Sequence, residues 1–230
     1  MQQLLNLVFK IALAKTIYFN LHCLPFKQGF RFPFILARGV TFLRLRGKII
    51  IDTDEISTGM IRIGFKHYGF QTKKDITILE NNGGQLIFDG KATIGKGTSI
   101  TIGKNGRLLL GKGIHMGGNS KIICYENITI GMNSRIAWET TLIDTDFHKT
   151  INIKTNELSL GKKTILIGKY NWIGFGTTIL KGTCTPNYCV VAAKSLLLKE
   201  YNYDEYCMLG GQPAVFMRKD IYRDFNSLVE

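Results

Sequence analysis

One histidine of the 230-residue chain lies beside two carboxylates in an arrangement suited to proton transfer. Residues 143–148 read IDTDFH, so His148 follows Asp144 and Asp146 closely. Neutral imidazole has the right pKa to take a proton from a hydroxyl near neutral pH, and a neighbouring carboxylate can orient it and stabilise the imidazolium. We interpret His148 as a candidate general base, oriented by Asp144 or Asp146. The alternative is a histidine of a surface loop.

The elements that must position His148 are indicated by a six-residue repeat between about residues 48 and 199. An aliphatic residue followed by Gly or Ala recurs, as in Ile94-Gly95, Ile136-Ala137 and Ile173-Gly174. The period is six, with Ile130, Ile136 and Leu142 in one phase and Ile167, Ile173, Ile179, Thr185 and Val191 in another. Six residues fit one short strand and one corner, so three units predict a coil of about 18 residues in a parallel β-helix. An antiparallel sandwich would instead show turns every 8–12 residues and period-two alternation.

The repeat is interrupted at residues 65–90, where Ile76, Ile78, Leu86 and Ile87 still suit strand positions, and again at 148–165, where His148 begins the break. Excursions from a regular scaffold commonly carry binding functions. The predicted organisation is therefore an all-β chain in three parts. A basic amphipathic segment covers 1–47, the β-helix with its excursion covers 48–199, and a turn and helix cover 200–230, with residues 215–229 as a terminal cap.

Charge is concentrated at the N-terminus. The net charge is +13, and residues 1–51 contain eight basic residues and no Asp or Glu. Apolar residues at helical spacing between Leu4 and Ile17 predict an amphipathic helix, which either contacts an anionic membrane surface or packs with solvated lysines. The charge does not accompany a nucleic-acid-binding motif, and Lys10 and Lys15 interrupt the apolar run before it reaches the ~20 residues of a membrane span.

The five cysteines form no CxxC pair, which favours neither a disulfide scaffold nor a structural zinc site. The expected compartment is therefore the reducing cytoplasm, with a possible peripheral position at the inner face of the plasma membrane. No metal is expected to be required.

Several motifs in order resemble a known family. They are the DTDFH run, NWIG at 171–174, TILKG at 178–182, VAAKS at 191–195 and GQPA at 211–214. Together they resemble the left-handed β-helix acyltransferases of the hexapeptide-repeat superfamily, in particular the O-acetyltransferases of bacterial surface sugars. The resemblance covers about residues 48–219. It implies a left-handed β-helix, a homotrimer, acetyl-CoA bound between subunits, a sugar or polysaccharide acceptor, and His148 as the base.

The resemblance also implies roles for residues beyond the base. Trp172 would stand at the cleft beside His148, or else form a wall of a corner. The acceptor would contact His115, Trp138 and Asn171, although His115 is equally interpreted as a hydrogen-bonded histidine of the β-helix and Trp138 as packing. An N–H group near Gly174 or Gly176 would face the developing oxyanion. The remaining candidates for acetyl-CoA are Ala192, Ala193, Lys194, Ser195, Lys199, Arg218 and Lys219.

The chain departs from the family pattern at two places and leaves other functions open. Residues 192–194 read Ala-Ala-Lys where small glycines are usual, and Thr185-Pro186 replaces an aliphatic-Gly pair. N-acetylation of a nucleotide-linked amino sugar would use the same base, and a non-enzymatic scaffold at the membrane would use none. A metal hydrolase is disfavoured because it needs three converging histidines, and only His115 and His148 lie in the clear repeat.

Overall fold

The structure, a computed structural model, describes residues 10–65, 69, 71–72 and 74–224. His67 and the predicted helical positions at residues 4–8 and 225–229 lie outside these ranges. The described chain contains two helices near the N-terminus, α1 (Leu13–Cys23) and α2 (Phe26–Gly29), followed by twenty-one strands in three sheets.

Strands are numbered in chain order. The first sheet contains β1 (Phe34–Leu36), β4 (Ile61–Phe65), β7 (Ala92–Gly95), β10 (Ile114–Met116), β13 (Arg135–Ile136), β16 (Trp172–Ile173), β18 (Val190–Val191), β20 (Met208–Gly211) and β21 (Ala214–Arg218). The second contains β2 (Val40–Leu45), β5 (Thr77–Asn81), β8 (Ser99–Ile102), β11 (Lys121–Cys124), β14 (Thr141–Ile143), β17 (Thr178–Leu180) and β19 (Leu196–Leu197). The third contains β3 (Lys48–Ile51), β6 (Gln85–Phe88), β9 (Arg107–Leu110), β12 (Asn127–Ile130) and β15 (Ile165–Ile167).

Successive strands visit the three sheets in turn, and every pairing except β20 with β21 is parallel. The chain therefore winds as a triangular prism, which confirms the predicted parallel β-helix. We call the corner between the first and second sheets the first edge, that between the second and third sheets the second edge, and that between the third and first sheets the third edge.

The core is a set of aliphatic columns inside the prism. Along the first sheet, Ile94, Met116, Ile136, Ile173 and Val191 are paired in register and are at most 1% exposed. Each such side chain contributes roughly 1.5–3 kcal/mol by leaving water. Alternate residues of the same strands point outward, so the six-residue repeat fixes which side chains line each outer face.

The helix α1 packs against β1 at one end of the prism. The Asn20 side chain accepts a hydrogen bond from the Phe34 N–H at 3.0 Å and donates one to the Phe34 carbonyl at 2.9 Å. The Thr16 hydroxyl accepts from the Leu36 N–H at 3.2 Å. These two side chains satisfy backbone groups of β1 that would otherwise form an open sheet edge.

The structure differs from the sequence prediction at both ends of the β-helix. Strands β1 and β2 belong to the first coil and precede residue 48, the predicted start. The predicted C-terminal helix is wrong for the described residues, because Ala214–Arg218 forms β21, antiparallel to β20. The predicted turn at Gly211 is present, but the last parallel strand offers an unpaired edge, and pairing with it outweighs the helical spacing of the apolar residues.

Candidate active site

The predicted excursion occurs at the second edge, between β14 and β15, and covers residues 144–164. It leaves and returns as an antiparallel pair in which Thr145 faces Lys162, and the Asp146 N–H donates to the Gly161 carbonyl at 2.7 Å. His148 follows this pair and is exposed. Within the described part of the chain, its side chain has no hydrogen bond or ion pair. Its imidazole is therefore accessible to a substrate.

The two aspartates before His148 have different environments. Asp144 is fully buried, and its carboxylate accepts hydrogen bonds from the N–H groups of Tyr125 at 2.7 Å and Glu126 at 2.8 Å. Burial raises the pKa of Asp144, and these hydrogen bonds oppose that rise. Asp146 is half exposed and pairs with the Lys181 ammonium at 2.9 Å. Asp144 therefore holds the edge together, whereas Asp146 lies at the surface near His148 in sequence and is paired with Lys181.

Trp172 lies on a different side of the molecule from His148. Its side chain points outward from β16 in the first sheet and is 39% exposed. The Arg223 guanidinium lies 5.3 Å from the centre of its ring. In a triangular prism, the second edge lies opposite the first sheet. Among the described residues, the His148 side chain makes no contact with Trp172. A single chain therefore does not bring the two residues together.

Most of the predicted acetyl-CoA residues do converge, and they do so at the first edge. Gly174, Ala192 and their neighbours stack there coil upon coil, and a Cβ atom on Gly174 would lie 2.5 Å from the Ala193 nitrogen. The N–H groups of Gly174 and Gly176 donate to the carbonyls of Val191 and Trp138, so neither is available to an oxyanion. This corrects the predicted role of those two N–H groups. We call residues 174–176 and 192–195 the small-residue ridge.

Aromatic side chains border this ridge. The rings of Trp138 and Phe175 stack at 5.3 Å between centroids with 12° between their planes. The Lys194 ammonium lies 5.3 Å from the Phe175 centroid and 4.0 Å from a carboxylate oxygen of Glu139. Trp138 is thus a neighbour of the ridge. The Ser195 hydroxyl is buried and donates to the Ala192 carbonyl at 2.7 Å, which shapes the corner.

The other predicted site residues are dispersed. Lys199 lies at the second edge, with its ammonium 5.8 Å from the Tyr201 ring, while Arg218 and Lys219 are exposed at the end of β21. Asn171 is fully buried, where its amide donates to the Thr185 hydroxyl at 2.6 Å and accepts from the Cys189 N–H at 2.7 Å. Its side chain therefore stabilises a corner and has no surface left for an acceptor.

His115 lies on the outer face of the first sheet, where three basic residues that the sequence analysis missed accompany it. A cavity of about 450 Å³ is lined by His115 together with Arg62, Lys91 and Arg135. The register could have revealed Arg62 and Arg135, because both occupy the outward position of first-sheet strands once the aliphatic columns are aligned. Across the described residues, no three His, Cys, Asp or Glu side chains are close enough together to hold a metal ion.

Comparisons with known proteins support the fold. No protein-family model and no curated protein sequence matches the chain. Among solved structures, it is similar to the polySia-specific acetyltransferase NeuO, with a TM-score of 0.57 and 19% identity over 83% of this chain and 75% of that one. It is also similar to the polysialic acid O-acetyltransferase OatWY, with a TM-score of 0.54 and 19% identity over 82% of this chain and 92% of that one. The chain has a left-handed parallel β-helix fold, which it shares with these two acetyltransferases.

Proposed function

We propose that the protein is an acetyl-CoA-dependent O-acetyltransferase that modifies a sugar hydroxyl of a surface polysaccharide or its precursor. The observation that carries this proposal is the accessible imidazole of His148 at the interruption of the β-helix, with the half-exposed carboxylate of Asp146 two residues before it in the sequence. The fold is shared with two polysialic acid acetyltransferases. The small-residue ridge supports the choice of donor, because a slender pantetheine arm fits against backbone that side chains leave exposed.

In this mechanism His148 removes the proton of the acceptor hydroxyl as its oxygen attacks the acetyl carbonyl. The acetyl group moves to that oxygen, and the imidazolium returns the proton to the departing thiol. Acetyl-CoA, when bound, supplies the activated acetyl group. Asp146 orients the imidazole, and the N–H of Ala193, which has no hydrogen-bond partner in the described chain, is available to a carbonyl of the donor. Alignment of two substrates in one cleft supplies much of the acceleration.

The active site is proposed to be shared between copies of the chain in a homotrimer. His148 and Trp172 lie on opposite sides of one prism, so a site containing both requires His148 of one copy beside Trp172 of the next. The excursion also exposes aliphatic side chains that suit contact with another copy. They are Ile151 at 54%, Ile153 at 95%, Leu158 at 62% and Leu160 at 83% exposed.

The first experiment measures thiol release from acetyl-CoA with a panel of sugars. We expect His148→Ala to lower kcat by roughly 10²–10⁴-fold, because that is the usual contribution of a general base. Lys149→Ala, a change at the next exposed position, is the control and should keep activity. A loss below tenfold would remove His148 as the base. Absence of any thermal shift with acetyl-CoA would favour the scaffold function, since a ligand of the folded state raises apparent stability.

A mixing experiment tests the shared site. His148→Ala and Trp172→Ala chains are each expected to be nearly inactive alone. In mixed trimers an intact site forms wherever a chain that keeps His148 adjoins one that keeps Trp172. Random assembly from equal amounts would restore roughly a quarter of the wild-type sites, because three quarters of the trimers are mixed and each has one intact site of three. If both residues acted within one chain, mixing would restore nothing.

The same proposal includes a peripheral position on an anionic membrane in the cytoplasm. The outer surface of the N-terminal segment exposes large apolar side chains, namely Leu13, Ile17, Tyr18, Leu21, Phe26 and Phe30. Lys27 and Arg31 are exposed beside them, and residues 1–51 contain no acid. Neither described helix is long and apolar enough to cross a bilayer. Apolar contact combined with positive charge is the usual basis of interfacial binding.

Flotation with vesicles tests this contact. We expect the wild-type protein to float with phosphatidylglycerol-containing vesicles and much less with pure phosphatidylcholine vesicles. Ile17→Glu with Phe26→Glu should abolish flotation, because both side chains are exposed and the change places negative charge at the contact. Leu43→Glu with Ile76→Glu alters two equally exposed positions on the second-sheet side and should not. Equal flotation of all three proteins would disprove the membrane contact.

A further inference from the structure

The outer face of the first sheet carries a row of basic residues that the proposed mechanism does not use. Neighbouring strands pair Arg62 with Thr93, Thr93 with His115, His115 with Arg135, and Arg135 with Trp172. These five outward positions span about 19 Å, at about 4.8 Å per strand spacing. A groove of about 450 Å³ runs along the row from β4 to β13, and Trp172 lies one strand beyond its end. We call it the first-sheet groove.

The groove is positively charged and contains no acid. Its lining includes Arg62, Lys91, His115 and Arg135 together with the hydroxyl residues Ser57 and Thr93, and neither Asp nor Glu. In the part of the chain that the structure describes, Arg62 and Lys91 form no ion pair with a carboxylate. The Arg62 guanidinium instead lies 5.0 Å from the centre of the ring of Phe65, which belongs to the same strand, β4.

Further positive charge lies at the β13 end of the groove, beside Trp172. Arg135 is half-buried and donates a hydrogen bond to the Gly113 carbonyl at 2.5 Å, which fixes its position across the groove wall. Burial lowers the pKa of Arg135, and the positive charge of Arg223 lowers it further. The Arg223 guanidinium also lies 5.3 Å from the centre of the Trp172 ring, so basic side chains continue to the strand beyond the groove. A planar guanidinium favours carboxylate and phosphate oxygens.

We propose that the first-sheet groove binds the anionic groups of the acetyl acceptor, so that the acceptor is a saccharide carrying carboxylates or phosphates. The term acceptor rests on the proposed function, whereas the anion site rests on the groove alone. A chain of acidic sugars lying along the row from Arg62 to Arg135 would present its next unit at Trp172. The groove would thus select charged acceptors and set the distance between the anchored units and the modified one.

Binding is measured without acetyl-CoA, so that the result does not depend on catalysis. The probes are a uronic acid tetrasaccharide, a nucleoside diphosphate sugar and uncharged maltotetraose. The test variant is Arg62→Gln with Lys91→Gln. The control is Lys104→Gln with Lys121→Gln, which removes the same charge from exposed positions outside the groove. Thermal unfolding of each variant checks that the fold is intact.

We expect the wild-type protein to bind at least one of the two anionic probes. Its affinity for uncharged maltotetraose should be at least tenfold lower than for that anionic probe. The groove variant should lose about tenfold or more in affinity for that anion, because hydrogen bonds to charged groups are among the stronger ones, while the control should lose little. Preference for the uronic acid probe identifies carboxylates as the recognised group, and preference for the nucleotide sugar identifies phosphates. Binding of neither anion, or equal loss in both variants, would overturn the proposal.

The two proposals can fail separately. If the anion binds in the groove but no sugar is acetylated, the site stands and the O-acetyltransferase function fails. If His148→Ala abolishes acetylation while the groove variant keeps its KM for a charged acceptor, the function stands and the groove does not bind the acceptor.

Discussion

The first and second edges of the prism are built from the same coils but differ in how strictly they keep the repeat. Between residues 92 and 197, the first edge connects its two sheets in only three or four residues in each coil, and the N–H groups of Gly174 and Gly176 bond to adjacent coils. At the second edge, residues 144–164 leave the prism and expose His148. The regular edge offers a rigid surface of backbone and small side chains. The interrupted edge offers a reactive side chain that the coils themselves cannot present.

The interruption is tolerated because it begins and ends at the same place. Thr145 pairs with Lys162, and the Lys163 N–H donates to the Asp144 carbonyl at 3.0 Å, so the coil continues after the excursion almost as if nothing had been inserted. The entropy of closing a loop grows slowly with its length, and such an insertion is therefore inexpensive. Asp144 secures the base of the excursion to the preceding coil through Tyr125 and Glu126.

The largest expected effect concerns the exposed aliphatic residues of the excursion. If they form the contact between copies, Ile153→Ser with Leu160→Ser should weaken each contact by about 3–6 kcal/mol, the value of burying two such side chains. Sedimentation should then show monomers where the wild-type protein is a trimer. The monomer fold should survive, because Ile153 is 95% and Leu160 83% exposed within one chain.

The matched control is Leu43→Ser with Ile76→Ser, two exposed aliphatic residues distant from the excursion along the chain. This variant should remain trimeric. A trimer that withstands the excursion variant would show that the second edge is not a subunit contact, and the proposed shared site would lose its structural basis.

The next effect separates the two aspartates. Asp144→Ala should destabilise the fold by about 2–6 kcal/mol, because two partly buried backbone N–H groups lose their acceptor at a cost of about 1–3 kcal/mol each. Asp146→Ala removes a half-exposed ion pair and should cost about 1 kcal/mol or less. Its effect should instead appear in kcat. Urea unfolding and initial rates measure both, and similar stability losses in the two variants would contradict the distinction.

The regular edge should respond to the addition of a single carbon. Gly174→Ala places a Cβ atom 2.5 Å from the Ala193 nitrogen, so adjacent coils must shift, at a cost of about 1–3 kcal/mol. Gly39→Ala is the control, since its new Cβ would meet its nearest neighbours at 3.6 and 3.7 Å, an ordinary contact distance. Thermal unfolding should show a decrease of roughly 2–4 °C per kcal/mol for the first variant and almost none for the second.

Much of the architecture could be predicted because one physical requirement repeats in every coil. An inward aliphatic residue and a small corner residue recur every six positions. This period predicts the β-helix, and the loss of the period predicts its main interruption. The ends could not be predicted in this way. Strand β21 forms because the free edge of β20, the last parallel strand, has backbone groups that pair with it. The local spacing of Val215 and Ile221 does not reveal this pairing.

The candidate site was predictable where chemistry is local and not where it depends on register. His148 and its aspartates stand together in sequence, whereas Arg62 and Arg135 come to lie on the same outer face only through strand pairing across several coils. The third edge gives a second example. Tyr170, Tyr188 and Tyr206 stack there at 4.9 and 4.6 Å, each with a positive φ, although Gly or Asn would be expected in that conformation. Their stacking offsets part of the backbone strain, and the pattern is invisible until the coils are aligned.

The smallest expected effect is a pH dependence of the unfolding free energy. It arises at the buried carboxylate of Asp144, where the excursion leaves the second edge. Burial raises its pKa above the ordinary value, so the folded state holds this proton at pH values where the unfolded chain has released it. Stability contributed at this site should therefore fall as the pH rises from about 4 through the folded-state pKa. The difference in unfolding free energy between wild type and Asp144→Asn should shrink in that direction when measured by urea unfolding between pH 4 and 7. A difference that grows with pH would show that the hydrogen bonds from Tyr125 and Glu126 outweigh burial.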